Sequence, residues 1–520
     1  MENMNECKGI AVRRFSELYT ECSAEYVLPD YKGDVKRILH TEASVLPSGS
    51  FRDADEAEMT GIAVFDVLYL DAENNLTSVS FSADYSLKVP MKEELCDVFA
   101  DFSAENASVR LPGPRKMMAR CAVKGNVRMI SEAAALSEGS ALSEEYSPEV
   151  CTCPIESVRS VRASLGAREF AEEFFFASGA ALDDVEVIAK RAEARVDSAV
   201  CEDGCVRVCG EISVFSLVKT GGAPCNKEKR IPFEECLQAA DVRADMQAVA
   251  SAAVSSLECR SEPTDDGVRV NVSAILDIDA EAFGNGRTEI VCDAFTPLAE
   301  VNNEYEFTSY DEFVDSKSKN VKVSAQIPKE ETDAEYASDI VYLATTVKTE
   351  SVKLEDNTVT LSGEVRFGAV ACEVFDDAAP AYTPLKLSVP FTESVSFGAS
   401  LPEGAALEWS VKSFDAKLSA GENSFYAESD VCIGVSAFCE REVMRLVSSE
   451  ALSEPTVSRS ANVVSVYYPE EGDTLFEVAK RFKTSPMKIA SDNALTEETV
   501  SAKNSPASLA AVDKLIIKSL

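Results

Sequence analysis

The chain has 520 residues, and 50 Lys or Arg against 89 Asp or Glu give it a formal charge of −39 at pH 7. A surface this acidic repels nucleic acid and anionic lipid, so neither is an expected partner. With 46% hydrophobic residues the chain is globular rather than disordered, and its length predicts about three or four domains.

The first residues, MENMNECKGIAVRRF, lack the apolar run of a signal peptide. No stretch reaches the roughly 20 apolar residues of a membrane-spanning helix. We therefore expect a cytoplasmic protein without membrane insertion. The 16 cysteines are scattered along the chain, and in that compartment we expect free thiols that serve as small apolar residues.

Three segments of the first 460 residues read alike, at 58–71, 206–220 and 359–373. Each alternates as a strand does and carries a glycine at the same place, Gly61, Gly210 or Gly363, about 150 residues apart. This period is too long for a solenoid repeat. It predicts three tandem β-rich domains, sandwich- or barrel-like, with hairpin turns at Asp-Gly and Asp-Asn clusters.

The predicted domains are residues 1–150, 151–305, 306–455 and 461–520. The joints between them are expected near the polar stretches 137–154, 299–312 and 449–462. Cys151 and Cys153 then lie in a linker beside Pro154, where a disulfide between them is unfavourable.

The last 60 residues form a separate module with a clear local pattern. Val464, Val466 and Tyr468 alternate as in a half-buried strand, and Gly472 allows a turn. Thr474 and Glu477 fit the capping box that begins a helix. An apolar stripe along that helix is then expected to face the core, made of Leu475, Val478, Ala479 and Phe482.

A second helix and a closing strand complete the module. Ser485 and Pro486 suit the cap and first position of the helix. Leu515 and Ile517 alternate with Lys514, Ile516 and Lys518, which predicts a second short strand. The expected order is strand, helix, helix, strand, so the overall class is mainly β with a small α+β (βααβ) domain at the end.

This module resembles a LysM domain through Tyr468 to Phe482 and through Asp492-Asn493-Ala494-Leu495. The resemblance implies a shallow groove that binds N-acetylglucosamine-containing glycans, beside the loops after the first strand and after the second helix. The segment between Leu495 and Lys514 is longer than the family usually has there. The groove residues implied by the resemblance are Gly472, Asp473, Thr474, Leu475, Phe476, Asp492, Asn493, Ala494 and Leu495.

The first predicted domain resembles the SPOCS domain of endospore-forming bacteria. The resemblance rests on AEYVLPDYKGDVKRIL at 24–39 and GIAVFDVLYLD at 61–71. The second and third domains share the period but lack the LPDY element. Tandem SPOCS domains followed by a LysM domain are typical of spore coat assembly proteins, whose LysM domain is thought to bind a SpoIVA-like morphogenetic ATPase on the forespore surface.

The sequence offers little for catalysis. His40 is the only histidine, which rules out catalytic triads with histidine and multi-histidine metal sites. Cys201, Cys205 and Cys209 lack the paired spacing of a zinc site, and no phosphate-binding glycine loop is present. We predict no enzyme activity, no catalytic residue, no metal and no cofactor.

The leading hypothesis is a non-enzymatic spore coat morphogenesis protein. It would act in the mother-cell cytoplasm and dock through its LysM-like module onto the morphogenetic ATPase. One alternative is a cell-wall protein that binds peptidoglycan through N-acetylglucosamine. The other is a wall hydrolase targeted by the module.

Overall fold

The computed structural model describes residues 9–53, 56–91, 96–134, 142–220, 224–375, 379–398, 400–455, 464–510 and 512–518. The fold is mainly β, with 75% of residues in strands and 6% in helices, as the sequence predicts. The predicted joints at 137–154 and 449–462 lie partly outside the described residues.

Strands β1 to β6 form the first unit, and they divide into two three-stranded antiparallel sheets. The second, third and fourth strands form a meander, called here the inner sheet. The first, sixth and fifth strands, in that order across the sheet, form the outer sheet. The strands are β1 (Gly9–Val27), β2 (Val35–Arg52), β3 (Glu56–Asp71), β4 (Leu76–Pro90), β5 (Cys96–Gly113) and β6 (Lys116–Ala134).

The same strand order occurs twice more along the chain. The second unit consists of β7 (Glu149–Ser178), β8 (Val185–Glu202), β9 (Cys205–Thr220), β10 (Cys225–Gln238), β11 (Gln247–Thr264) and β12 (Gly267–Phe295). The third unit consists of β13 (Val301–Pro328), β14 (Asp339–Glu355), β15 (Thr358–Glu373), β16 (Ala381–Ser396), β17 (Ala406–Ala420) and β18 (Ser424–Ala451). In both, the outer and inner sheets have the strand composition found in the first unit.

The chain ends in two strands and three short helices. These are β19 (Val464–Tyr467), α1 (Leu475–Arg481), α2 (Pro486–Asp492), α3 (Glu497–Ser501) and β20 (Leu515–Lys518). Residues 464–518 are called the C-terminal module below. None of the helices in the described ranges combines the length and the apolar character that crossing a bilayer requires.

The structure gives the three repeated glycines one shared role. Each lies on the central strand of an inner sheet, directly opposite an aromatic residue of the next strand. The pairs are Gly61 with Tyr85, Gly210 with Phe233, and Gly363 with Phe391. Because the glycine has no side chain, the aromatic ring can lie flat over the strand and fill the core between the two sheets.

The second unit confirms one prediction and corrects another. The hairpin turn predicted at Asp265-Asp266-Gly267 is confirmed and joins β11 to β12. The prediction that Cys151 and Cys153 lie in a linker is wrong, because both are part of β7. Strand β7 extends the outer sheet of the second unit over 30 residues, far beyond a usual strand length.

The three units meet through two apolar clusters. The inner sheets share one cluster that takes Leu68 from the first unit, Ile188 and Leu217 from the second, and Tyr342 and Val370 from the third. The outer sheets share another cluster, built around Ala11, Ile130, Val158, Phe283 and Phe438. All three units therefore contribute to both contacts.

A buried ion cluster lies beside the outer-sheet contact. The guanidinium of Arg13 donates to Glu281 from Nη1 at 2.5 Å and to Glu408 from Nη2 at 2.8 Å. Its backbone N–H donates to Asp311 at 2.6 Å. The three carboxylates come from the second and third units, and the Arg13 side chain is only 3% exposed. The ring of Phe438 lies 4.6 Å from the guanidinium carbon.

Charge, not burial, sets the ionisation of this cluster. Burial alone would lower the pKa of Arg13, but the charges of Glu281 and Glu408 and their hydrogen bonds raise it above the ordinary arginine value. Burial would raise the pKa of Glu281, yet Arg13 and Arg128 hold that pKa below its usual value. Both side chains are therefore charged at neutral pH, and each needs the other.

Substitution of Gly210 by Ala tests the role of the repeated glycines. A Cβ at Gly210 would lie 2.5 Å from Cζ of Phe233 and would clash with the carbonyl oxygen of Arg195. We expect Gly210→Ala to cost about 1–3 kcal/mol, because overpacking forces the strand or the ring to move. Thermal unfolding checks this, with Gly113→Ala as the control, since nothing lies within 4 Å of a Cβ there. Equal transition temperatures for the two variants would contradict the assignment.

Substitution of Arg13 by Met tests the buried ion cluster. Glu281 and Glu408 would be left as buried carboxylates without their main partner, which is expected to cost about 3–5 kcal/mol. The matched control is Arg260→Met. Arg260 pairs with Glu258 on the surface, at 76% and 53% side-chain exposure. That control is expected to change stability by about 0–1 kcal/mol. An Arg13→Met protein that unfolds at the same denaturant concentration as the control would refute the proposed importance of the cluster.

Candidate functional site

The C-terminal module folds around one apolar core. Leu475, Val478, Ala479, Ile489 and Leu515 are all buried in it. Phe482 packs against the same core while partly exposed. The helical stripe expected from the sequence is therefore confirmed, and so is the inward alternation of Leu515 and Ile517 in β20.

Both predicted helix caps are present. The Thr474 hydroxyl accepts from the backbone N–H of Glu477 at 3.1 Å, and the Glu477 carboxylate accepts in return from the N–H of Thr474 at 3.2 Å. Ser485 caps α2 by accepting from the N–H of Lys488 at 3.1 Å, with Pro486 at the first helical position. These local interactions satisfy N–H groups that the helix itself cannot pair.

The predicted orientation of the first strand is wrong. Val464, Val466 and Tyr468 point to solvent, with exposures of 58%, 54% and 67%. Tyr467 faces inward and packs on Phe482 with ring centroids 5.7 Å apart. The sequence predicts the wrong buried face, because a strand with apolar residues on both faces does not determine which face packs on the core.

The loop before α1 is closed by hydrogen bonds to Asp473. Its carboxylate accepts from the Tyr467 hydroxyl at 2.5 Å and from the N–H of Glu470 at 2.8 Å. These hydrogen bonds lower the pKa of Asp473, so the carboxylate stays ionised. Gly472 supports the turn with φ of 99°, in the region that favours glycine.

Leu475 and Phe476 are interior residues rather than groove residues. Their backbone N–H groups are engaged by the long segment that precedes β20. The N–H of Phe476 donates to the carbonyl of Lys503 at 3.0 Å, and the N–H of Leu475 donates to Oγ of Ser508 at 3.4 Å. The segment noted in the sequence as unusually long therefore lies directly against the start of α1.

The polar side chains of the loop after α2 are also paired within the module. The Asn493 amide donates to the carbonyls of Ile489 at 2.8 Å and Ile516 at 2.7 Å, and it accepts from the N–H of Ile516 at 2.6 Å. Asp492 pairs with Lys518 at 2.8 Å through one carboxylate oxygen. These contacts join the end of α2 to β20.

The remaining two predicted groove residues, Ala494 and Leu495, shape that loop through their backbone. Ala494 has a positive φ of 51°, and the N–H of Leu495 donates to the carbonyl of Ala490 at 2.9 Å. The Leu495 side chain packs against the module core. Among the nine predicted residues, the polar ones mainly hold the two loops in shape and the apolar ones mainly fill the core.

The module packs on the β units rather than standing apart from them. Phe476 contacts Phe295 at the end of β12, edge to face, with ring centroids 5.1 Å apart. Lys480 pairs with Asp293 at 2.5 Å, and Lys503 pairs with Glu149 at 3.3 Å. A third ion pair joins Lys483 to Glu300. Basic side chains of the module thus lie on acidic side chains of the units.

Sequence reasoning missed these docking residues. Their partners lie 183 to 354 positions away along the chain, so no local pattern could reveal the pairing. One signal was present, because residues 461–520 hold seven Lys or Arg and eight Asp or Glu while the rest of the chain is strongly acidic. That contrast in charge favours docking of the module on its own chain.

A cleft of about 790 Å³ where the three units meet is the other concave feature of note, and its walls include Arg13 and Arg128 of the first unit. Its walls carry charges of both signs, and many are paired locally. Arg195 pairs with Asp197 and Asp415, and Lys317 pairs with Asp315. The cleft therefore does not select one class of charged ligand. Within the described ranges, no group of three or more His, Cys, Asp or Glu side chains is placed to hold a metal ion.

Comparison with known proteins gives no match. No protein family, no curated protein and no solved structure is significantly similar to the chain. The resemblance to LysM and SPOCS domains therefore depends on the sequence motifs alone.

Reversal of charge at Lys480 tests the docking of the module. Lys480→Glu places like charges against Asp293, and we expect a protease to separate the module from the β units several times faster. The double variant with Asp293→Lys should recover part of the protection. Lys514→Glu is the control, because Lys514 is exposed on the module. If Lys480→Glu and Lys514→Glu are cleaved at the same rate, the docked arrangement is contradicted.

Proposed function

We propose that this chain is a non-enzymatic assembly protein of the SipL type, which acts in spore coat morphogenesis. In this proposal the three β units are SPOCS-like domains and the C-terminal module is a LysM-like domain. The protein works in the mother-cell cytoplasm at the forespore surface, where the module binds a SpoIVA-like morphogenetic ATPase. The repeated strand order and the motifs at 24–39, 61–71 and 468–495 support this reading.

One observation favours a protein ligand over a glycan. The groove expected for a sugar is occupied by the chain itself, because Lys503 and Ser508 accept from the N–H groups at the start of α1 and Phe476 is buried against Phe295. A sugar site needs free polar groups beside an open surface, and most of those predicted are already hydrogen-bonded.

The free surface of the module suits a protein partner. Val464 and Val466 of β19 and Tyr468 directly after it lie exposed, and Ile516 pairs with Val466 across the two-stranded sheet. This outer face of β19 and β20 is a small apolar patch with an aromatic residue. Such patches with polar surroundings are typical of protein contacts.

The β units supply the scaffold in this proposal. Their contacts through the inner sheets, the outer sheets and Arg13 hold three units in one arrangement. Nothing in the sequence points to a catalytic set, since His40 is the single histidine. We therefore assign the chain a structural role and no reaction.

Co-precipitation from sporulating cells tests the proposed docking. Val466→Glu puts a charge on the outer face of β19, and we expect recovery of the morphogenetic ATPase to fall by about tenfold or more. Val374→Glu in the third unit is the matched control, because Val374 is also exposed, at 63%. Unchanged recovery with Val466→Glu would contradict this docking face. Saturable binding of the full chain to purified peptidoglycan would instead favour the glycan-binding alternative.

A further inference from the structure

Three cysteines meet where β7 and β12 pair beneath the C-terminal module. Cys153 Sγ lies 2.7 Å from Cys292 Sγ, and Cys292 Sγ lies 3.6 Å from Cys151 Sγ. Cys151 and Cys153 share one face of β7. Cys292 comes from β12, at an irregularity in register between Val291 and Asp293. The extra residue at that point turns the Cys292 side chain toward both thiols of the neighbouring strand.

These thiols differ in exposure from the Cys22 and Cys121 pair. Cys22 and Cys121 also lie opposite each other across β1 and β6, but both are buried in the core. Cys151, Cys153 and Cys292 are each partly exposed to solvent. A small dissolved reagent can therefore reach this group, whereas the Cys22 and Cys121 pair is shielded.

We propose that Cys153 and Cys292 form a reversible disulfide bond, with Cys151 as the thiol that first reacts with a low-molecular-weight disulfide. The sulfurs of Cys153 and Cys292 are already close enough that a small movement makes a bond of about 2.05 Å. Cys292 lies next to both other thiols, so it can first form a disulfide bond with Cys151 and then exchange it for one with Cys153.

The exchange balances in three steps. The Cys151 thiolate attacks one sulfur of the small disulfide, forms a mixed disulfide and releases one small thiol. Cys292 loses its proton to solvent and attacks the Cys151 sulfur, which releases the second small thiol and leaves a bond between Cys151 and Cys292. Cys153 then loses its proton to solvent, attacks Cys292 and displaces Cys151 as a thiolate. In total, two thiols of the chain are oxidised and one small disulfide is reduced.

The local electrostatics favour Cys151 as the first thiol to react. A hydrogen bond from Cys292 lowers the pKa of Cys151, which favours its thiolate as the attacking group. Burial, together with the neighbouring Cys292, raises the pKa of Cys153 to about 12, and the hydrogen bond to Cys151, together with burial, raises the pKa of Cys292 well above its usual value. Both of these thiols therefore stay protonated until Cys151 has reacted.

The three cysteines lie in the part of β7 and β12 that contacts the C-terminal module. Thr152, between the two cysteines of β7, accepts from the Asn504 amide at 3.3 Å. Asp293 follows Cys292 and pairs with Lys480, and Cys151 packs against the module core. The disulfide would therefore fix the pairing of β7 with β12 directly under the module.

The test exposes the full-length protein to oxidised glutathione, blocks the remaining thiols and maps linked peptides by mass spectrometry. We expect a peptide pair that joins Cys153 to Cys292, a loss of two thiols per chain, and reversal by dithiothreitol. Cys292→Ser should abolish the link. Cys153→Ser should stop the exchange at a Cys151–Cys292 bond, and Cys151→Ser should slow formation by about tenfold.

The control variant is Cys432→Ser, which removes a partly exposed thiol of the third unit and should leave the link unchanged. Circular dichroism confirms that each variant is folded. If Cys292→Ser fails to fold, alkylation rates in the unaltered protein decide the question. Labelling of Cys153 and Cys292 that is as fast after glutathione treatment as before it would overturn the proposal, and so would a stable glutathione adduct on Cys151 with no internal bond.

Discussion

Arg13 brings a positive charge into the interior at the place where the outer sheets of all three units meet. A buried guanidinium is tolerated only when carboxylates surround it, and here Glu281 and Glu408 provide them from the second and third units. Separating the units would leave these charges buried without a partner or would require all of them to be hydrated. The cluster therefore favours one arrangement of the units, while the apolar clusters of the inner and outer sheets bury side chains from all three.

The acidic composition also favours a fixed arrangement of segments at the surface. Basic side chains are few in this chain, and many are used in defined pairings between distant segments. Lys480 and Lys503 hold the C-terminal module on Asp293 and Glu149, so the module shares the orientation of the β units. A rigidly placed module presents its outer face, with Val466 and Tyr468, in one direction. That geometry suits the attachment of a scaffold to a surface.

Local features were predictable from the sequence, and distant pairings were not. The caps at Thr474 and Ser485 follow from neighbouring residues, and the repeated glycines follow from the similarity of the three segments that carry them, so sequence patterns reveal both. The pairing of Arg13 with Glu408 spans 395 positions and leaves no local pattern. The same holds for Cys292 beside Cys153. The buried face of β19 was predicted wrongly, because Tyr467 and Val466 are both suited to a core and only the packing decides between them.

The proposed function is the attachment of an acidic β scaffold to the forespore surface through the C-terminal module. The most direct measurement follows a fluorescent fusion of the full chain during sporulation, beside the same fusion with a charge on the outer face of β19. If the proposed function is right, fluorescence forms a shell around the forespore on its mother-cell side and becomes diffuse in the altered protein. Fluorescence spread evenly through the mother cell, or collected at the cell wall, would contradict it.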